Sequence, residues 1–118
     1  MSYDIELIDP VTKDVLVLDN PHHMRGGTYM IGGNTKCHLN ITYNYSKHYY
    51  RVFGEDGIRL LYGKTGAQSI PILQVGISKL GDDVAEDYWA STEGNAKIAL
   101  CQLLALAEMR PDGVWSGD

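Results

Sequence analysis

Basic, amide and phenolic side chains interleave through the middle of this chain. Arg25, Asn40, Asn44, Tyr45, Lys47, His48, Tyr50 and Arg51 lie within one stretch, with His22, His38, Thr42 and Lys64 around them. Guanidinium and ammonium groups hold phosphate, phenol rings stack on bases, and amides supply directional hydrogen bonds. A small anion of nucleotide type suits all of these groups. Ser46 reads as the N-cap of a short helix, which puts free backbone N–H groups beside Lys47 and Arg51. The competing reading is structural, with Tyr43 and Tyr49 as core residues and the cations as solubilising charge.

Other chemistries fit less well. Gly63-Lys64-Thr65 matches the end of a phosphate-binding P-loop, but that loop needs four residues between its glycines and Gly57 and Gly63 enclose five. Lys64 is then an anion contact on a helix-entry loop or a solvent-exposed lysine. The four histidines, His22, His23, His38 and His48, show no H-x-x-x-H spacing, and the two cysteines form no C-x-x-C pair. Metal ligation is therefore not expected. No G-x-S-x-G is present, neither cysteine sits in a polar setting suited to thiolate chemistry, and no cofactor motif or catalytic residue emerges.

The elements that position these residues follow from periodicity. Cys37, Leu39, Ile41 and Tyr43 alternate with His38, Asn40, Thr42 and Asn44, which predicts a half-buried central strand with a polar face. After Ser46 the spacing of Tyr49, Val52 and Phe53 predicts a helix whose outward residues are Lys47, His48, Tyr50 and Arg51. Before the strand, Tyr3–Leu7 and Val15–Leu18 predict a hairpin across the turn DPVTKD. Residues 20–27 read as a loop carrying His22, His23 and Arg25, and Thr28–Ile31 as a short strand. Ser69–Leu80 is the preferred core of the next helix because a start at Ser69 avoids an internal proline, with a Thr65/Gln68 capping box as the alternative start. Asp82–Ala90 reads as an acidic helix burying Val84 and Trp89. Thr92 caps a last helix, Glu93–Met109, with hardly any polar face. That apolarity predicts a homodimer. The fold class is α+β: one domain over residues 1–118, a small N-terminal antiparallel sheet of three or four strands, and a helical C-terminal half packed on it.

Composition bounds the rest. A chain of 118 residues with 44% hydrophobic content is long enough for one core and too ordinary for disorder. The acidic N-terminus is unlike a signal peptide, and no stretch reaches the roughly 18 apolar residues of a membrane span, so a soluble cytoplasmic protein is expected. Cys37 and Cys101 read as small core residues, either as two thiols or as one disulfide. The sequon Asn40-Ile41-Thr42 matters only in a secreted eukaryotic protein. The net charge of −5 argues against general nucleic-acid binding, yet residues 21–66 carry six cations against only Glu55 and Asp56. All four histidines and six of the eight tyrosines lie in that basic middle segment.

Read together, LNITYNYSKHYY, YGKTGAQSIPIL, YWASTEGNAKIAL and PDGVWSGD resemble a family of small uncharacterised proteins of bacteriophages and bacterial mobile elements. The resemblance implies a setting and no particular activity. In that setting the residues predict a ligand-binding protein that sequesters a phosphorylated or nucleotide-like signal as a counter-defence factor in a bacterial host cell. The alternatives are an acidic protein that inhibits a host factor by occupying its basic site, and a small nucleotide-processing enzyme.

Overall fold

The computed structural model describes residues 1–24 and 33–118. Among them run β1 (Ser2–Ile8), β2 (Val17–His22), β3 (Asn34–Lys36), β4 (His38–Thr42), α1 (Ser46–Phe53), α2 (Gly66–Ser78), α3 (Glu93–Met109) and β5 (Val114–Gly117). Tyr43–Tyr45 and Gly57–Leu61 form 3-10 turns. The class is α+β, with an N-terminal antiparallel sheet and three helices, as the periodicities predict.

β1 is the middle strand. It pairs antiparallel with β4 on one edge and with β5 on the other, in the order β4-β1-β5. Tyr3, Ile5 and Leu7 of β1, Leu39 and Ile41 of β4 and Trp115 of β5 are all buried in one core with side chains from the three helices. The expected hairpin is replaced by this arrangement. Both edges of β1 are taken, so Val15 meets Ile8 only at an isolated bridge, and β2 leaves to pair with β3 in a separate two-stranded sheet. The turn itself forms, with Asp9 Oδ1 accepting from the N–H groups of Val11 and Thr12 and Lys13 adopting a φ of 68°.

Several other boundaries move. The strand placed at the centre is an edge strand that stops at Thr42, whose hydroxyl accepts from Asn44 N–H and starts the first 3-10 turn. Thr42 is buried for that reason, despite its place in the polar row. Ser46 is the first residue of α1, and its hydroxyl donates back to Tyr43 O at 2.6 Å in place of capping. The loop expected from residue 20 begins later because β2 continues to His22, while the expected strand Thr28–Ile31 lies outside the described residues.

α2 starts at the Thr65/Gln68 capping box and takes Pro71 inside it. Two of its free N–H groups find partners in the chain's C-terminal segment: Gly66 N donates to Gly113 O at 2.8 Å and Ala67 N to Pro111 O at 3.1 Å. Gly66 is needed there, since a Cβ would lie 2.8 Å from Arg110 O. These bonds anchor a start that local sequence made the less favoured one. Within the core, Trp115 Nε1 donates to Ser69 Oγ at 2.8 Å, and that hydroxyl donates to Gly66 O at 2.7 Å.

α3 has the predicted bounds, with Thr92 Oγ1 accepting from Asn95 N–H at 3.1 Å. Ala96, Ala99, Leu100, Leu103, Leu106 and Ala107 are buried, and Tyr49 donates its hydroxyl to Ala96 O at 3.0 Å. One side of the helix stays open, and Cys101 lies on it as an exposed free thiol while Cys37 is a buried one. The helix expected over Asp82–Ala90 is absent; that segment is an irregular loop, with Val84 and Trp89 exposed. Leu103 is fully buried, so Leu103→Asp should cost about 4 kcal/mol or more and lower the melting temperature by more than about 10 °C. Circular dichroism melts of the two proteins read this directly, and an unchanged midpoint contradicts the core assignment.

Candidate functional site

The loop from Gly81 to Thr92 is fixed from two sides. The first is the N-terminus of α3. Gly94 N donates to Asp83 Oδ1 at 3.0 Å, and the buried carboxamide of Asn95 accepts from Ala85 N at 3.2 Å while donating to Asp87 O at 3.1 Å and Ala90 O at 3.0 Å. The loop backbone runs so close over the helix that a Cβ on Gly94 would meet Val84 N at 2.5 Å. Glu93 Oε1 accepts from Gly81 N at 3.1 Å, and Lys97 pairs with Asp82 at 2.6 Å. Orphan N–H groups at a helix start take carboxylate oxygens readily, and here the loop supplies one.

The second side is the segment that carries the predicted ligand-binding residues. Asn44 Nδ2 donates to Trp89 O at 2.8 Å, Tyr45 donates its hydroxyl to Tyr88 O, and His48 Nε2 lies 3.3 Å from Ser91 O. The Ser91 hydroxyl lies 3.4 Å from the same nitrogen. Arg51 Nη2 reaches Glu93 Oε1 at 2.7 Å. Three of the predicted residues therefore converge on the protein's own loop, and Arg51 on the first residue of α3. Burial raises the Tyr45 phenol to about 12, with Asp87 and Tyr88 adding to the shift. At neutral pH it is the donor this contact requires.

With its underside engaged, the loop turns the rest outward. Val84 is 57% exposed and Trp89 44%, and Asp82, Asp83, Glu86 and Asp87 are exposed around them. The Tyr88 ring lies tilted against Trp89 with centroids 5.6 Å apart.

The remaining predicted residues lie apart. His38 and Asn40 occupy the outer face of the sheet, where Asp4 Oδ1 sits 3.2 Å from His38 Nε2 and 2.6 Å from Asn40 Nδ2. A carboxylate thus stands in the polar row. His22 is buried on β2, its Nδ1 accepting from Met24 N and its Nε2 donating to Lys36 O at 2.8 Å. Thr42 is the buried cap described above, and Arg25 lies outside the described residues. Lys64 is half-buried between the second 3-10 turn and α2. Lys47 and Tyr50 are exposed on α1, but His48, expected outward, is buried against the loop.

Arg59 is the functional candidate that sequence spacing missed. Its guanidinium carbon lies 4.9 Å from the Tyr3 ring centroid and 5.8 Å from that of Tyr43, and its Nε donates to Asp118 O at 2.9 Å. The two rings meet edge to face at 4.5 Å. Tyr3 of β1 and Tyr43, the latter read as a core residue, thus also form the underside of an exposed cation. Tyr50 covers Gly57 at the start of the turn that carries Arg59, where a Cβ would meet its ring at 3.0 Å.

No protein-family model, curated protein or solved structure matches the chain. Among the described residues no helix is long and apolar enough to cross a membrane, and no group of three or more His, Cys, Asp or Glu side chains is placed to hold a metal ion. Gly94→Ala should push the loop off the start of α3, since the added carbon has no space. The expected result is faster proteolysis within residues 82–91 with the rest of the fold retained. Equal cleavage rates in wild type and variant contradict the latch.

Proposed function

We propose that this protein works by binding another protein, presenting the acidic loop to a basic surface on its partner. The observation that carries the reading is that Asn44, Tyr45 and His48 hold the loop, with Arg51 paired to Glu93 at the start of α3, while Trp89, Glu86 and Asp87 stay exposed. A loop already ordered gives up little conformational entropy on docking, a tryptophan is a common anchor of binding energy, and the carboxylates steer a cationic partner. In the setting implied by the resemblance to phage and mobile-element proteins, the partner is a host factor in the bacterial cytoplasm and the effect is inhibition in a counter-defence role.

A second reading rests on Arg59. Its exposed guanidinium lies over Tyr3 and Tyr43, and the neighbouring α1 exposes Lys47 and Tyr50. This surface suits the phosphate and base of a nucleotide-like signal that the protein would sequester. It differs from the cleft read from sequence, of whose residues Asn44, Tyr45 and His48 are engaged with the loop, Arg51 with Glu93, and His38 and Asn40 with Asp4.

The experiment is affinity capture from a bacterial host lysate with wild type, Trp89→Ala and Glu86→Lys as baits, followed by affinity measurement on the purified partner at rising salt. Truncating an anchor tryptophan should weaken binding about 30-fold, from a hot-spot cost of about 2 kcal/mol or more, and salt should weaken it further. If both variants retain the wild-type partners at the wild-type affinity, the proposal fails. Calorimetric titration with mono-, di- and cyclic nucleotides tests the second reading. Binding lost in Arg59→Ala and kept in Trp89→Ala would support it, and turnover of the nucleotide would assign the enzyme alternative.

A further inference from the structure

A cavity of about 470 Å³ opens between β2 and the end of α3, lined by Val17, Leu18, Asp19, Asn20, Met109 and Arg110. A cavity of that size holds a small molecule. Its apolar walls are Val17 and Met109, which are 55% and 46% exposed, and Leu18, half-buried against the core. Its polar groups are the Asp19 carboxylate, the Asn20 carboxamide and the Arg110 guanidinium.

The charges there do not cancel. Arg110 Nε and Nη2 donate to the two carboxylate oxygens of Asp112 at 3.1 and 2.9 Å, and Nη1 donates to Val17 O at 3.0 Å. Every nitrogen of the guanidinium is thus committed, and Asp112 matches its charge. Asp19 acts on Arg110 only from a distance, and its side chain makes no hydrogen bond or ion pair among the described residues. Arg110, Asp112 and Asp19 together therefore carry a net negative charge. The carbonyl end of α3 adds a partial negative charge at Met109 and Arg110. Lys36, opposite Val17 on β3, is exposed and lies outside the lining.

We propose that this cavity binds a small aliphatic amine, with its ammonium group on the Asp19 carboxylate and its carbon chain along Val17, Leu18 and Met109. An anion would meet an unmatched carboxylate and a guanidinium already paired. A wholly apolar ligand would strip water from Asp19 and Asn20 and give nothing back. An ammonium group donates to carboxylate and carboxamide oxygens alike, and the methylenes behind it cover the apolar walls. The cavity shares no residue with the acidic loop or with the Arg59 surface, so it stands apart from the function proposed above.

The test is a proton–nitrogen correlation NMR titration of the full chain at neutral pH with n-butylamine, and with n-butanol as its uncharged analogue. The amine should half-saturate at about 1 to 10 mM, an affinity within reach of a ligand of so few atoms, and shift the amides of residues 17–20, 109 and 110 first. The alcohol should shift none of them over the same range. Asp19→Asn, at an exposed position, should keep the wild-type melting temperature and weaken the amine at least about tenfold, through the loss of a charge-assisted hydrogen bond. Added salt should weaken wild-type binding. No saturation by the amine, the alcohol binding as tightly, Asp19→Asn keeping the wild-type affinity, or shifts centred elsewhere in the chain each overturns the proposal.

Discussion

The carboxamide of Asn95, buried at the start of α3, ties that helix to the loop before it. Its three polar contacts to the loop span Ala85 to Ala90. A buried amide left without partners would cost free energy, so the loop's path and the helix start are fixed together. Gly94 allows this by leaving no Cβ between helix and loop, and Thr92 and Asp83 satisfy the first helical N–H groups. From there the constraint spreads, because Arg51 and Gly81 both bond to Glu93 and His48 to Ser91. α1, the loop and α3 form one hydrogen-bonded unit.

That unit changes what the basic segment means. Asn44, Tyr45, His48 and Arg51 suit an anion by type, but the acceptors they meet are the chain's own carbonyls and the Glu93 carboxylate. A bound nucleotide at Asn44, Tyr45, His48 and Arg51 would have to replace contacts already made at effective concentrations that no free ligand reaches. Within that segment the contacts to the acidic loop come from the neutral side chains of Asn44, Tyr45 and His48, and Arg51 adds an ion pair to Glu93 at the start of α3. What remains for a partner is the outer side of the loop, with its exposed Trp89 and carboxylates, and separately the cation over Tyr3 and Tyr43.

Legibility in the sequence followed the range of the interactions. Alternation at Tyr3, Ile5 and Leu7 and at Cys37, Leu39 and Ile41 marked the buried faces correctly, because a strand's inward side depends only on its own period. Thr92 with the apolar run after it marked α3 to its ends for the same reason. The pairing of β1 with β5 was not readable, since it joins the two ends of the chain and Val114–Gly117 is too short to announce a strand. The start of α2 moved for a related cause, its free N–H groups being met by Pro111 and Gly113. Asp82–Ala90 has acceptable helix formers, and the signal against a helix lay outside it, in Gly94 and Asn95. Those are poor choices for a first turn unless something packs against them.

The contacts of Asn95, Asp83 and Asn44 should hold the irregular acidic segment as firmly as regular structure. Residue-resolved amide hydrogen exchange measures that without reference to any partner. Ala85 N–H bonds to Asn95 Oδ1 and Trp89 N–H to Asp87 Oδ1, while Val84, Ala90 and Thr92 bond to backbone carbonyls within the loop. These five amides should exchange at least about a hundredfold more slowly than an unstructured chain, and Asn95→Ala should abolish the protection while the amides of β1 keep theirs. Exchange at unstructured-chain rates throughout residues 82–92 of the wild type would contradict it.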